Sequence, residues 1–255
     1  MAAPTPEPGP QVLILKADRL YAEALARRTA VALPAARLIL APTVADARAA
    51  IATGEVELFI SGLGDAQEGD VLELIAQCSR QPAGGPRILV VAFRWEYRLL
   101  AALRTLPVDG VFDAMGEAPE AFGEAVAATV SGLRYWSPGV IQRLQQLAAK
   151  PTALFRLLTD FEQLALSVIG GGCDDDEAAD LLQLSPATIS SVRRDLHRKL
   201  GVQHRGALVR IAAQTGFVRF TPEGVERPGF SLLAAAYHPR HGKRRPQDIP
   251  QGAPA

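Results

Sequence analysis

Residues 186–202, PATISSVRRDLHRKLGV, combine hydroxyl groups with cations. Ile189, Val192, Leu196 and Leu200 recur at spacings of three and four, so a helix over this stretch turns them to one buried face. Ser190, Ser191 and Arg194 then fall on the opposite side, with Arg193, Arg198 and Lys199 along the flanks. Guanidinium and hydroxyl groups on an exposed helix can hydrogen-bond base edges in the major groove of a duplex. Flanking cations can meet phosphates and release counterions. Ser185 is a suitable N-cap, Pro186 suits the first helical position, and Leu184 can staple to Ile189 across the cap.

The elements that must position this helix lie just upstream. Thr159 and Glu162 form a T-x-x-E capping box, which starts a helix through Leu166 and Ile169 that stops at Gly170-Gly171-Gly172. The run Asp174-Asp175-Asp176-Glu177 reads as the acidic N-terminus of the next helix rather than as a cation site, because Ala178, Ala179 and Leu182 continue an apolar helical face. Two helices joined by a short turn, the second with a basic exposed side, describe a helix-turn-helix. The segment from Thr159 to Thr215 reads as four short helices in all.

Residues 158–202, LTDFEQLALSVIGGGCDDDEAADLLQLSPATISSVRRDLHRKLGV, resemble the LuxR/FixJ (NarL-type) helix-turn-helix family. The matching positions are Leu158-Thr159, Glu162, Leu166, Ile169, Gly172, Glu177, Ala179, Leu182, Ser185, Thr188 and Arg198-Lys199-Leu200-Gly201-Val202. The resemblance implies that Ser190, Ser191 and Arg194 read bases and that Thr188, Arg198 and Lys199 sit near the backbone of double-stranded DNA; Arg193 joins them as a flanking cation. It also implies a homodimer, formed through the last helix at about Arg205 to Thr215. Two departures stand out. The family usually has Lys where this chain has Ser190, and often His where it has Val192.

Before this module, short apolar runs alternate with helical patterns. Strands are expected at Val12–Leu15, Arg37–Leu40, Leu58–Ile60, Ile88–Ala92 and Gly110–Phe112. Helices are expected near Asp18–Leu33, Val44–Thr53, Glu68–Ser79, Glu96–Leu103 and Pro119–Val130. Continuous apolar strands separated by helices imply a buried parallel sheet. The expected fold class is therefore α/β plus all-α: a five-stranded, doubly wound, flavodoxin-like domain over residues 11–136, then a four-helix domain over 155–218. Residues 1–10 read as a flexible N-terminus, 137–154 as a linker helix and 219–255 as a largely disordered extension.

The order of domains and the junction Gly132-Leu-Arg-Tyr-Trp-Ser-Pro138 resemble the receiver domains that precede this helix-turn-helix. A working receiver needs an acidic pair after its first strand to hold Mg²⁺, an acceptor Asp, a hydroxyl and a Lys. The corresponding positions here are Lys16 and Ala17, Gly62, Ala92 and Ala114, so every chemical part is replaced. Lys16 could supply a cation where the metal normally sits. Asp65 lies three residues beyond the acceptor position and lacks the charge compensation that in-line transfer requires. Gly62-Leu63-Gly64 would leave an open floor at the sheet rim, and Phe93, Trp95 and Tyr97 would either line a small-molecule or partner site or pack the fourth helix.

Composition narrows the alternatives. The chain is 48% hydrophobic and 21% charged, enough for packed cores, and its 27 basic and 27 acidic side chains cancel. Cys78 and Cys173 are far apart and read as free thiols of a reducing cytoplasm. The Ala/Pro-rich start is unlike a signal peptide, and no apolar run reaches the ~20 residues that cross a bilayer. No catalytic constellation, cofactor motif or metal-ligand spacing occurs, so the expectation is a transcriptional regulator and not an enzyme. The competing expectation is an interaction protein whose helix-turn-helix docks on another protein.

Overall fold

The structure, a computed structural model, describes residues 9–63, 69–78, 84–149 and 153–237. Asp65, the ends of the helix expected at Glu68–Ser79, and residues 238–255 lie outside them. Contacts divide the chain into two compact units: residues through Trp95 together with Thr105–Arg143, and Glu96–Arg104 together with residues from Leu144 onward.

The first unit is built on six parallel strands: β1 (Gln11–Leu15), β2 (Arg37–Ala41), β3 (Val56–Gly62), β4 (Arg87–Ala92), β5 (Gly110–Asp113) and β6 (Tyr135–Trp136). They lie in the order β2-β1-β3-β4-β5-β6. The first five have the flavodoxin-like 2-1-3-4-5 order, with α1 (Arg19–Ala32), α2 (Val44–Ala52), α3 (Val71–Cys78) and α5 (Ala121–Val130) as this unit's crossovers. β1 is buried along its whole length, and β3 and β4 nearly so, as their unbroken apolar sequences require. Val12, Ile14, Leu58, Ile60, Leu89 and Val91 face Leu25 of α1 and Phe122 and Val126 of α5 in one cluster.

Two differences from the sequence reading concern this unit. The sheet has six strands rather than five. Tyr135 pairs with Gly110 and Trp136 with Val111, but two residues are too few for periodicity to reveal a strand. The helix expected near Glu96–Leu103 forms as α4 (Tyr97–Leu103), yet it belongs to the second unit.

In the second unit, α6 (Pro138–Ala149), which begins in the first, leads through α7 (Leu154–Leu157) to α8 (Asp160–Ile169), α9 (Asp175–Leu182), α10 (Pro186–Leu200) and α11 (Arg205–Gln214). The apolar stripes of α8 to α11 meet in one core around Leu166, Ile169, Ala179, Ile189, Leu196 and Leu208. The extension, expected to be largely disordered from residue 219, is ordered through Tyr237. It forms an antiparallel hairpin, β7 (Arg219–Thr221) with β8 (Gly224–Glu226), and a helix α12 (Phe230–Tyr237). Its local composition is loop-like, but Leu233 and Ala234 are buried in the same core and Tyr237 stacks on Phe161 at 4.6 Å. Tertiary burial thus overrides weak local signals.

Candidate nucleic-acid interface

The helix-turn-helix is assembled by its caps. Thr159 and Glu162 make the reciprocal box that opens α8. Asp174 and Glu177 make a second box opening α9, so the acidic run caps a helix. No group of metal-ligating side chains occurs among the described residues. α9 ends at Gln183, held left-handed at φ 54°, and the Leu184 N–H donates back to the Ala179 carbonyl. Ser185 then accepts from the Thr188 N–H at 3.1 Å, and Pro186 begins α10. Gly201 closes α10 at φ 66°, a conformation cheap only for glycine.

Within α10, Ile189, Val192 and Leu196 are buried, and Leu200 packs against their core. The polar residues divide into three groups. Ser191 and Arg194 are exposed; Arg194 Nε makes a long 3.4 Å bond to the Ser190 carbonyl, and its guanidinium is in no ion pair among the described residues. Arg198 is exposed and donates to Asp195 one turn earlier at 2.9 Å. Thr188 and Ser190 are half-buried, with Thr188 bonded to Ser185 and Ser190 accepting from Arg193 at 3.3 Å.

Arg193 and Lys199 form the third group, engaged inside the module. Arg193 forks onto Asp175 of α9, with Nε on Oδ1 at 2.9 Å and a terminal nitrogen on Oδ2 at 2.8 Å. Arg205 of α11 approaches the same carboxylate at 3.5 Å and also donates to the Cys173 carbonyl. The Arg193 hydrogen bond, with both guanidinium charges nearby, holds the Asp175 carboxyl below the usual carboxylate range. Lys199 Nζ sits 2.7 Å from Glu162 Oε2, tying the end of α10 to the start of α8. Partial burial pushes the Glu162 carboxyl up, but Lys199 and Thr159 outweigh it and leave its pKa lowered. The sequence shows the cations but not these partners, since Asp175 and Arg193 are 18 positions apart and Glu162 and Lys199 are 37 apart. His197 has its Nε2 buried without a hydrogen-bond partner among the described residues.

The five receiver-type positions lie at the carboxyl ends of the first unit's strands. Lys16 and Ala17 follow β1, Gly62 ends β3, Ala92 ends β4 and Ala114 follows β5. The Ala114 N–H donates to the Ala92 carbonyl at 3.0 Å. Asp18 is the N-cap of α1, accepting from the Tyr21 N–H. Of the expected open floor Gly62-Leu63-Gly64, Gly64 lies outside the described residues and Gly62 is covered, since a Cβ there would lie 3.6 Å from the Phe93 ring. Phe93 meets Tyr21 edge-on at 4.8 Å, and Lys16 Nζ is 5.9 Å from both ring centroids. Burial pushes the Tyr21 phenol up to about 12.

The three aromatics after β4 therefore do not form one cluster. Phe93 covers Gly62, Tyr97 stacks on Phe217 in the second unit, and Trp95 lies under the Arg143 guanidinium at 4.5 Å. Arg143 also donates to Asp113 at 2.8 Å. Asp113 accepts from the Met115 and Gly116 N–H groups as well, and its own N–H donates to Ser137. The start of α6 is thereby fastened to the end of β5.

A flavodoxin-like sheet followed by a four-helix module with an exposed cationic helix is also the arrangement of solved response-regulator structures. Solved structures of that class match the chain. RcsB from Salmonella enterica serovar Typhimurium bound to promoter rprA, with phosphomimetic BeF3⁻, is 20% identical over 79% of this chain and 96% of its own, at a TM-score of 0.55. The same protein on promoter P1flhDC gives 21%, 80%, 98% and 0.52. A structure of two RcsB dimers bound to two parallel DNAs gives 21%, 80%, 98% and 0.51. At these identities the likeness establishes a shared fold. No protein-family model matches the chain, and no curated protein matches its sequence. No helix among the described residues is long and apolar enough to cross a membrane.

Proposed function

We propose that this chain is a DNA-binding transcriptional regulator, acting in the cytoplasm as a homodimer and controlled without phosphorylation. The observation that carries the reading is the division of labour on α10: Arg193 and Lys199 brace the module, while Ser191, Arg194 and Arg198 are left outward on one side. That side fits a major groove, with Arg194 and Ser191 toward base edges and Arg198 toward phosphate. Thr188, half-buried at the start of the helix, would lie near the phosphate backbone, and half-buried Ser190 would join Ser191 and Arg194 toward the bases. RcsB, which shares the fold, is seen bound to DNA as dimers. The α11 helix would supply the dimer contact here.

Independence from phosphorylation rests on the rim. Gly62 offers no acceptor oxygen, Lys16 and Ala17 offer no carboxylates for Mg²⁺, and Phe93 and Tyr21 fill the space beside them. Control then passes to a ligand, a partner protein or dimerisation through this domain.

One observation favours the competing reading, a module that docks on protein. Two of the four cations of α10 are spent internally, which thins the field available to a polyanion. A salt series decides between them. Each phosphate neutralised contributes a slope of about −0.9 to log affinity against log salt. The regulator reading expects duplex binding at low salt with a slope that becomes shallower by about one in the Arg198→Ala variant. No duplex binding at low salt would reject the regulator reading and favour the protein-docking one.

A further inference from the structure

The ordered extension has no place in the helix-turn-helix itself, and its contacts indicate a task. It is anchored to the helical core: Arg227 Nε donates to the Ser167 carbonyl at 3.1 Å, Tyr237 stacks on Phe161, and Leu233 and Ala234 are buried. So anchored, it presents polar groups to α4. Arg219 of β7 holds the Glu96 carboxylate at 2.7 Å, with both side chains less than a fifth exposed. Arg98 of α4, a buried arginine, donates to the Pro228 carbonyl at 3.3 Å and the Gly229 carbonyl at 3.1 Å, in the turn between β8 and α12. Its backbone N–H donates to the Thr215 carbonyl at the end of α11 at 2.8 Å, and Tyr97 stacks on Phe217.

Several features single this out as a built contact. Glu96 is the N-cap residue of α4, but its side chain makes no cap bond and turns to Arg219 instead. Gly216 has φ +79°, and a Cβ there would fall 2.5 Å from Glu96 Oε2, so glycine meets both the turn and the close approach. Ion pairs and carbonyl hydrogen bonds withdrawn from water contribute little net stability but penalise mispairing strongly. Such a contact is specific and also separable.

From this we infer that the C-terminal extension, with the end of α11, is a docking surface whose partner is α4 of the same chain, and that α4 seated there orders the end of α11 for pairing on DNA. The second half rests on the reading proposed above. The chain enters α4 directly from β4, whose carboxyl end lies at the sheet rim.

A charge-swap cycle in the full chain tests both halves. Glu96→Arg and Arg219→Glu each place like charges together, and the double variant restores an opposite pair. Hydrogen exchange of the amides in 97–103 and 215–219 should quicken at least about tenfold in each single variant and return toward wild type in the double, with 186–200 unchanged. Exchange in α4 that both single variants leave unaltered would overturn the docking surface. Each single variant should also lose about fivefold or more in affinity for a duplex with two half-sites, but bind a single half-site as wild type does. Equal effects on the two duplexes, or none, would overturn the role in pairing. Wild-type protein that binds neither duplex would refute the proposed function, while hydrogen exchange would still decide the docking surface.

Discussion

Arg193 and Arg194 are adjacent, chemically identical and assigned opposite tasks, so replacing each by Ala should give opposite phenotypes. Arg193 donates two short hydrogen bonds to Asp175, and the side chains are 27% and 23% exposed. An exposed pair of this kind contributes about 0–1 kcal/mol, and breaking a fully buried one costs about 3–5 kcal/mol. This pair lies between, and Arg205 at 3.5 Å remains to offset Asp175, so Arg193→Ala should cost about 1–2 kcal/mol. For a domain of this size that corresponds to a Tm lower by roughly 5–12 °C in the helical unit's transition. Arg194→Ala removes an exposed side chain and should change stability by less than about 0.5 kcal/mol. It should instead weaken specific duplex binding by about 1–3 kcal/mol. Scanning calorimetry and a duplex titration read the two effects. Arg193→Ala melting with the wild type, or Arg194→Ala retaining full affinity for the preferred site, would refute the division of labour.

The same brace predicts a pH dependence. Asp175 is held below its ordinary range when folded, so its contribution is fully present above the unfolded value of about 4. It is lost as pH falls through the lowered folded value, so the gap in stability between wild type and Arg193→Ala should hold from neutral pH to about 4 and close below it. Thr159→Ala and Asp174→Ala each remove a capping box and should each cost about 1 kcal/mol in denaturant melts; smaller losses at both would mean that water replaces the caps. Incubation with acetyl phosphate and Mg²⁺ should leave the intact mass unchanged, and Gly62→Asp should not restore phosphorylation, because the acidic pair would still be missing; a mass gain of one phosphoryl group in the wild type would reverse the reading of the rim. Burial pushes the Cys78 thiol up to about 11, so at pH 8 about one molecule in a thousand carries its thiolate. Alkylation of the native protein should therefore reach half-exposed Cys173 well before Cys78, and peptide mapping would show the reverse order if α3 opened readily.

Legibility followed the range of the interaction. Thr159 with Glu162 and Ser185 before Pro186 act across three residues or fewer, and both caps stand where the sequence places them. The strands were legible because burial on both faces writes itself as an unbroken apolar run, as in Val12-Leu-Ile-Leu15. Tyr135–Trp136 gave no such run, and the hairpin and α12 are local elements of low propensity held by distant partners. At the candidate site, the cations of α10 were visible but their employment was not. Arg193 and Arg194 read alike until Asp175 is brought beside one of them by the turn at Gln183.

The same separation of backbone and side-chain roles holds at the sheet rim. Lys16, Gly62, Ala92 and Ala114 at the rim carry no carboxylate or hydroxyl, while the strands beside them are buried and paired in parallel. Strand burial fixes the sheet, whereas the chemistry of the rim depends on side chains at and beyond the strand ends, so the second can vary without disturbing the first. What fills the place is packing: Phe93 over Gly62, Tyr21 against Phe93, and Arg143 on Asp113 where β5 meets the linker helix. Under the proposed function an input would act on those contacts, and α4, with Glu96 before it held by Arg219 and its Arg98 held by the carbonyls of Pro228 and Gly229, is where that input would reach the helical module.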